Sequence, residues 1–415
     1  MSDLRASGPP RRNQLILALL ILAGMLNYAD RQIIAVLKPL LERELHWGDV
    51  DYGRVTALFQ LGSALALLGA GWLVDRIGWR RANPLAVGGW SVAAMAHAAA
   101  RTTAQFGAVR FALGATEAMA TPTAIKTIAS VFRPEERAMA FGIMNAANGL
   151  GAIATPLLIP MLALKIGWAN SFLVTGGLGL VWVGAWVWAK PGRAIVDPAQ
   201  HETAEGARAE KAHWSVVLRD RRTWAIAGAK ALSDQVWWLL LFWAPDLLHR
   251  VYHLGLDSFG APLAVMYACA SVGSLAAGQI SKSLMSAGVS LNATRKFSLL
   301  GFGALAVPVW FAPHMSNYWQ ATAILALTLA AHQAYSTTIF ALVTDISPGG
   351  RVATVVSIGA FCGNLAGTVI LQAAGFVLGA GYGYGPLLGL ASVSYLLGTA
   401  WIQLLLPRLE PARDP

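Results

Sequence analysis

Apolar residues run along this chain in long blocks, separated by short polar stretches. The blocks fall at about 14–38, 52–74, 82–100, 103–132, 137–163, 167–189, 222–250, 259–285, 292–313, 317–344, 351–380 and 384–407. Each is near the ~20 residues that a helix needs to cross a bilayer. The pattern predicts an all-α membrane protein with twelve transmembrane helices. Only one interruption is long. Residues 190–221 include "KPGRAIVDPAQHETAEGARAEKAHW", which is polar and mixed in charge. It divides the chain into a first six-helix half, 1–189, and a second, 222–415, joined by a linker loop. Within the linker, "HWSVVLRDRRTW" reads as a short interfacial helix.

Composition agrees. The chain has 415 residues, of which 56% are hydrophobic and 13% charged, against about 25% charged in soluble domains. The net charge of +10 raises the question of nucleic acid, but the basic residues are dispersed. Their placement sets orientation instead. With the N-terminus inside, cytoplasmic segments hold 21 Lys and Arg and outer segments hold 6, so both termini are expected in the cytoplasm. Cys269 and Cys362 both lie in apolar runs and fit buried small side chains. No metal-ligand spacing, nucleophile elbow or phosphate loop is visible, so no enzyme, cofactor or metal is expected.

The loop after the second span reads "GWLVDRIGWRR", Gly71 to Arg81. It resembles the loop motif of the major facilitator superfamily, and "GQISKSLMSAG", Gly278 to Gly288, stands as a degenerate counterpart in the second half. The resemblance implies the major facilitator fold and a transporter working by alternating access. It also implies that Gly71, Asp75, Arg76 and Arg80 form a conformational latch.

Charges inside spans are costly, roughly 3 kcal/mol or more each. The first span nevertheless carries "LNYADRQII", with Asp30 and Arg31. The fourth carries Arg110 and Glu117, seven residues apart and so on one helical face. Asp234 is a third acid, four residues after Lys230 and in position to neutralise it. By a rise of about 1.5 Å per residue, Asp30 and Arg110 lie level, with Glu117 deeper. Two readings stand. One is a structural salt bridge that only fixes helix packing. The other is a site where arginine grips an anionic substrate and a desolvated acid exchanges a proton.

"NYADRQ" with "RFALGATEA" resembles the anion:cation symporter family. "AIKTIASVF", "DQVWWLLLFWAPDLL" and "AHQAYSTTIFALVTDISP" resemble its hexuronate and sugar-acid branch. The resemblance implies proton coupling at Asp30 and Glu117, and anion handling at Arg31 and Arg110. There are departures. Ser63 stands where branch members place a tyrosine, which predicts a wider pocket, and Arg54 stands where the family tends to have an aromatic.

Further polar residues must face a partner or a cavity in a bilayer. Tyr28, Lys126, Asn145, Gln235, Trp238, Gln333 and Asn364 join the expected substrate-binding set. For Lys126, snorkelling to the cytoplasmic surface is the competing reading. Pro122 offers a kink that would change its phase. The sum is a proton-coupled symporter importing a small organic anion such as a hexuronate, acting as a monomer in the inner membrane. The alternatives are another small carboxylate, or an exporter or antiporter on the same fold.

Overall fold

A computed structural model describes residues 11–189, 214–347 and 351–409. Most of the linker lies outside these, as does the side chain of Asn145. The described residues form helices and no strands. They are α1 (Arg11–Val36), α2 (Lys38–Leu45), α3 (Asp49–Ile77), α4 (Trp79–Ala96), α5 (Thr103–Glu117), α6 (Ala120–Val131), α7 (Pro134–Ile166) and α8 (Trp168–Ala189). The second half continues with α9 (Trp214–Arg219), α10 (Arg221–Tyr252), α11 (Gly260–Ser286), α12 (Leu291–Ala306), α13 (Tyr318–Ile346), α14 (Val352–Gly379) and α15 (Gly385–Leu405). Helix covers each stretch predicted as a span. Among the described residues, eight helical segments are long and apolar enough to cross a membrane.

Two of the four other predicted stretches fall short for visible reasons. Helix α10 carries Lys230, Asp234 and Asp246. The fourth span is broken between α5 and α6 at Ala118 and Met119. Pro122 explains the break, since it has no N–H to donate to the carbonyl four residues back. Glu117 is therefore the last residue of α5, beside the break.

Helix α3 packs along α14, and α7 along α11, joining the two halves of the chain. The hydrogen bonds between described residues of the two halves lie at one end of the bundle. Tyr52 donates to the carbonyl of Phe242 at 2.7 Å, Lys38 Nζ meets Asp246 Oδ1 at 2.6 Å, and Arg250 binds Asp49 through both terminal nitrogens, at 3.0 and 2.6 Å. A close backbone approach adds to this clasp. A Cβ on Gly53 would stand 2.8 Å from Gly375 Cα and from the Leu371 carbonyl oxygen. At the other end, polar contacts stay within a half. Lys126 meets Asp75 at 2.7 Å, Asn13 donates to the Val131 carbonyl, Arg295 meets Asp345 at 2.7 Å, and Arg222 donates to the Ile346 carbonyl. The halves are thus clasped at the Lys38 end.

Candidate functional site

The two charges of the first span part company in the structure. Arg31 turns to Glu117, whose Oε2 accepts from Nη2 at 2.9 Å and from Nε at 3.2 Å. Asn27, one turn earlier on α1, accepts from the same Nη2 at 3.2 Å. Three rings surround the guanidinium, with Tyr28 and Trp238 at 5.5 Å and Phe59 at 5.6 Å from centroid to Cζ. Trp238 comes from α10, so both halves of the chain meet at Arg31. The Glu117 side chain is fully buried, while that of Arg31 is 18% exposed and lines a cavity of about 270 Å³. Arg31 is thus a cation facing a cavity, held by an acid behind it and by aromatic faces that attract cations.

Asp30 points elsewhere. It is buried. Thr175 of α8 stands beside it and Arg110 is within electrostatic reach. Arg110 is as level with Asp30 as the helical rise predicts, but it grips backbone. Its Nη1 donates to the Asp30 carbonyl at 3.0 Å and its Nη2 to the Arg31 carbonyl at 2.9 Å. Fully buried over the Phe59 ring, Arg110 fixes the stretch of α1 that aims Arg31, and it does not line the cavity. In hydrogen bonds the expected four-charge cluster resolves into one ion pair, one arginine holding backbone, and one acid within electrostatic reach of Glu117 and Arg110.

The other expected substrate residues divide similarly. Tyr28 lines the cavity, and Trp238 faces Arg31 across from it. Lys126 does not join them. Its Nζ lies on Asp75 Oδ1 at 2.7 Å and near the Val74 carbonyl, as its place nine residues after Glu117, half a turn out of phase, already favours. Gln235 faces α15, donating to Ser394 Oγ at 3.2 Å. Asn364 donates to the Ala360 carbonyl of its own helix, and Gln333 is half-buried in α13. Ser63 is buried and donates to the Gly114 carbonyl at 2.9 Å, so it ties α3 to α5 and stands outside the lining of this cavity. Of the expected latch, Gly71 has open space over its Cα, Asp75 pairs with Lys126, Arg76 covers Trp72 and Arg80 covers Trp79. Lys230 and Asp234 do pair, at 2.9 Å.

Sequence reasoning missed the clasp. Lys38 is completely buried, with Glu42 at 2.6 Å, Asp49 at 3.1 Å and Asp246 at 2.6 Å. The carboxylate oxygens of Glu42, Asp49 and Asp246 lie within 4.8 Å of one another, and the Lys38 ammonium and the Arg250 guanidinium supply counter-charge. Tyr384 also donates to Asp246. Burial pushes the Glu42 carboxyl above its ordinary range, against the pull of Lys38. Asp246 is a fourth acid within the stretch 222–250, and its place near the end of that stretch was the available signal.

A sequence profile of the Major Facilitator Superfamily matches residues 20–371. The D-galactonate transporter of Escherichia coli O6:H1 is 26% identical over 95% of this chain and 95% of its own. The hexuronate transporter of Escherichia coli is 25% identical over 96% of each. Among solved structures, a bacterial homolog of the human lysosomal transporter Spinster, inward-facing and occupied, superposes with a TM-score of 0.76. It is 20% identical and covers 98% of this chain and 100% of its own. A profile match over most of the chain, together with a shared fold across the whole of it, decides the matter: this chain belongs to the Major Facilitator Superfamily, and it is a multi-pass membrane transporter, not an enzyme.

Proposed function

We propose that this protein is a proton-coupled symporter that imports a sugar acid, a hexuronate or a related aldonate, by alternating access. It spans the bacterial inner membrane twelve times, as a monomer, with both termini in the cytoplasm. The observation that carries this reading is the Arg31–Glu117 pair at the cavity wall. A guanidinium presents paired donors that match a carboxylate. The names of the relatives, D-galactonate and hexuronate transporters, favour the sugar acid over other small carboxylates. An exporter of cations is disfavoured by the Arg31 guanidinium at the cavity wall.

The coupling follows from charge balance. A substrate carboxylate that takes Arg31 leaves Glu117 without its partner. An unpaired charge buried there is costly, so release of Arg31 and protonation of Glu117 go together. The loaded centre then carries no uncompensated acid when the halves rock. With the Lys38 end outside, the present conformation faces the cytoplasm, and the clasp closes the outer side. Asp30, buried beside Thr175, is the second proton-carrying acid.

The test is Glu117→Gln in proteoliposomes. Gln stands in for the protonated acid. The variant is expected to exchange labelled D-galactonate across the membrane but not to accumulate it on an inward proton gradient. A Gln variant that concentrates D-galactonate as the parent does would remove Glu117 from coupling. A parent protein that moves no sugar acid would overturn the substrate assignment.

A further inference from the structure

The end of the second half opposite the clasp gathers arginines without acids. A depression there is lined by Arg221 and Arg222 from the start of α10, Ile346 from the end of α13, and Leu406, Arg408 and Leu409 from the segment after α15. Among the described residues, none of the three guanidinium groups pairs with a carboxylate. Lys126 and Arg295, at the same end of the bundle, each meet an aspartate. Asp220 is next in sequence, but its carboxylate caps α10, accepting from the Arg222 backbone N–H at 2.9 Å. Arg222 is anchored by donating Nη1 to the Ile346 carbonyl at 2.8 Å, while Arg221 and Arg408 are exposed. Cations from the two ends of the second half are thus held side by side. Like charges so placed repel, and an anion between them turns repulsion into attraction.

Three observations narrow the anion. Arginine matches phosphate as it matches carboxylate, through paired N–H donors. The depression encloses only about 10 Å³, room for roughly one water. A whole solute does not fit inside, but a charged group can lie over the mouth while the rest of its molecule is held beyond. Two tryptophans then fix the depth. Trp224 is one turn past Arg221 on α10, Trp401 is one turn before the end of α15, and both are exposed, as is Leu404. Trp401 Nε1 donates to the Trp224 carbonyl at 2.8 Å, and Trp224 Nε1 donates to the Leu218 carbonyl of α9 at 2.8 Å. Exposed tryptophans at the ends of spans mark the membrane interface. The arginines stand one turn beyond them, at the level of lipid headgroups, where basic pockets between helices bind anionic lipid.

We infer that Arg221, Arg222 and Arg408 form a site for the phosphodiester of an anionic lipid headgroup, with the acyl chains along the exposed face of Trp224, Trp401 and Leu404. The headgroup joins the start of α10 to the segment after α15 and so braces the second half at the membrane surface. The site shares no residue with the cavity at Arg31 and stands whatever the transported substrate is.

The test is phosphatidylglycerol binding to the purified full chain in detergent, counted by native mass spectrometry. Arg221→Gln/Arg408→Gln removes two charges and keeps the Arg222 bond to Ile346. Arg81→Gln/Arg133→Gln is the control, since both are exposed at the same end of the first half. Each arginine near the surface contributes about fivefold, so the first pair should weaken phosphatidylglycerol binding about 25-fold and the control pair should leave it unchanged. Equal losses in the two pairs would overturn the site, since they reduce it to the overall charge of that face. Phosphatidylcholine binding the parent as tightly as phosphatidylglycerol would overturn it too, because its headgroup has no net charge. Inorganic phosphate that displaces phosphatidylglycerol at equal concentration would make the ligand a free anion and overturn the lipid assignment. Should the double variant misfold, Arg408→Gln alone, beyond the last helix, carries the same comparison at about fivefold.

Discussion

Breaking the clasp on one side should open the end it closes. Lys38 is held by Asp246 from the second half at 2.6 Å, but also by Glu42 and Asp49 from its own half. In Asp246→Asn the lysine is therefore not stranded, and the 3–5 kcal/mol penalty of an unpaired buried charge does not apply. What disappears is the charge assistance of one contact between the halves, about 1.5–3 kcal/mol. At about 1.4 kcal/mol per tenfold, the equilibrium moves roughly 10- to 150-fold toward the state open at the Lys38 end. Arg250 still holds Asp49, so closure is weakened and not abolished. Ala374, fully buried in α14 beside Gly375, is a suitable reporter. With Cys269 and Cys362 replaced by serine and Ala374→Cys introduced, labelling by a water-soluble thiol reagent should speed up by that factor in Asp246→Asn. Glu42→Gln is the control. Glu42 sits in the same half as Lys38, and that pair persists whether the end is open or closed. Equal labelling with and without Asp246→Asn would refute the reasoning, as would an equal effect from Glu42→Gln.

Three further substitutions probe other parts of the argument. Gly53→Ala puts a methyl 2.8 Å from backbone atoms of Gly375 and Leu371, which cannot yield as a side chain can, so the same reporter cysteine should label faster. Arg31→Lys replaces a fork by a point charge and should weaken D-galactonate exchange roughly tenfold or more; an unchanged KM would show that Arg31 only braces Glu117. Asp75→Asn breaks a pair whose acid is 76% exposed, worth about 0.2–1 kcal/mol. It should leave D-galactonate KM unchanged and shift probe accessibility at the two ends by less than roughly sixfold, and a loss of substrate binding would contradict that placement.

The apolar blocks alone determined that helices fill this chain and where they lie, because a bilayer leaves the backbone few other ways to satisfy its polar groups. The identity of the buried charges was also legible, since an ionisable residue in an apolar run stands out against its neighbours. Which charge meets which was not. Asp30 and Arg31 are adjacent in sequence, yet helical geometry turns one toward Thr175 and the other toward Glu117. Arg110 shares a helical face with Glu117 but finds carbonyls of α1 closer. Lys126 lies half a turn out of phase with Glu117, but that it meets Asp75 of α3 depends on how the helices pack. The clasp depended most on tertiary structure. Lys38 and Asp246 are 208 residues apart, and each alone reads as an ordinary charge near a span's end. Only the docking of one half of the chain against the other buries them together.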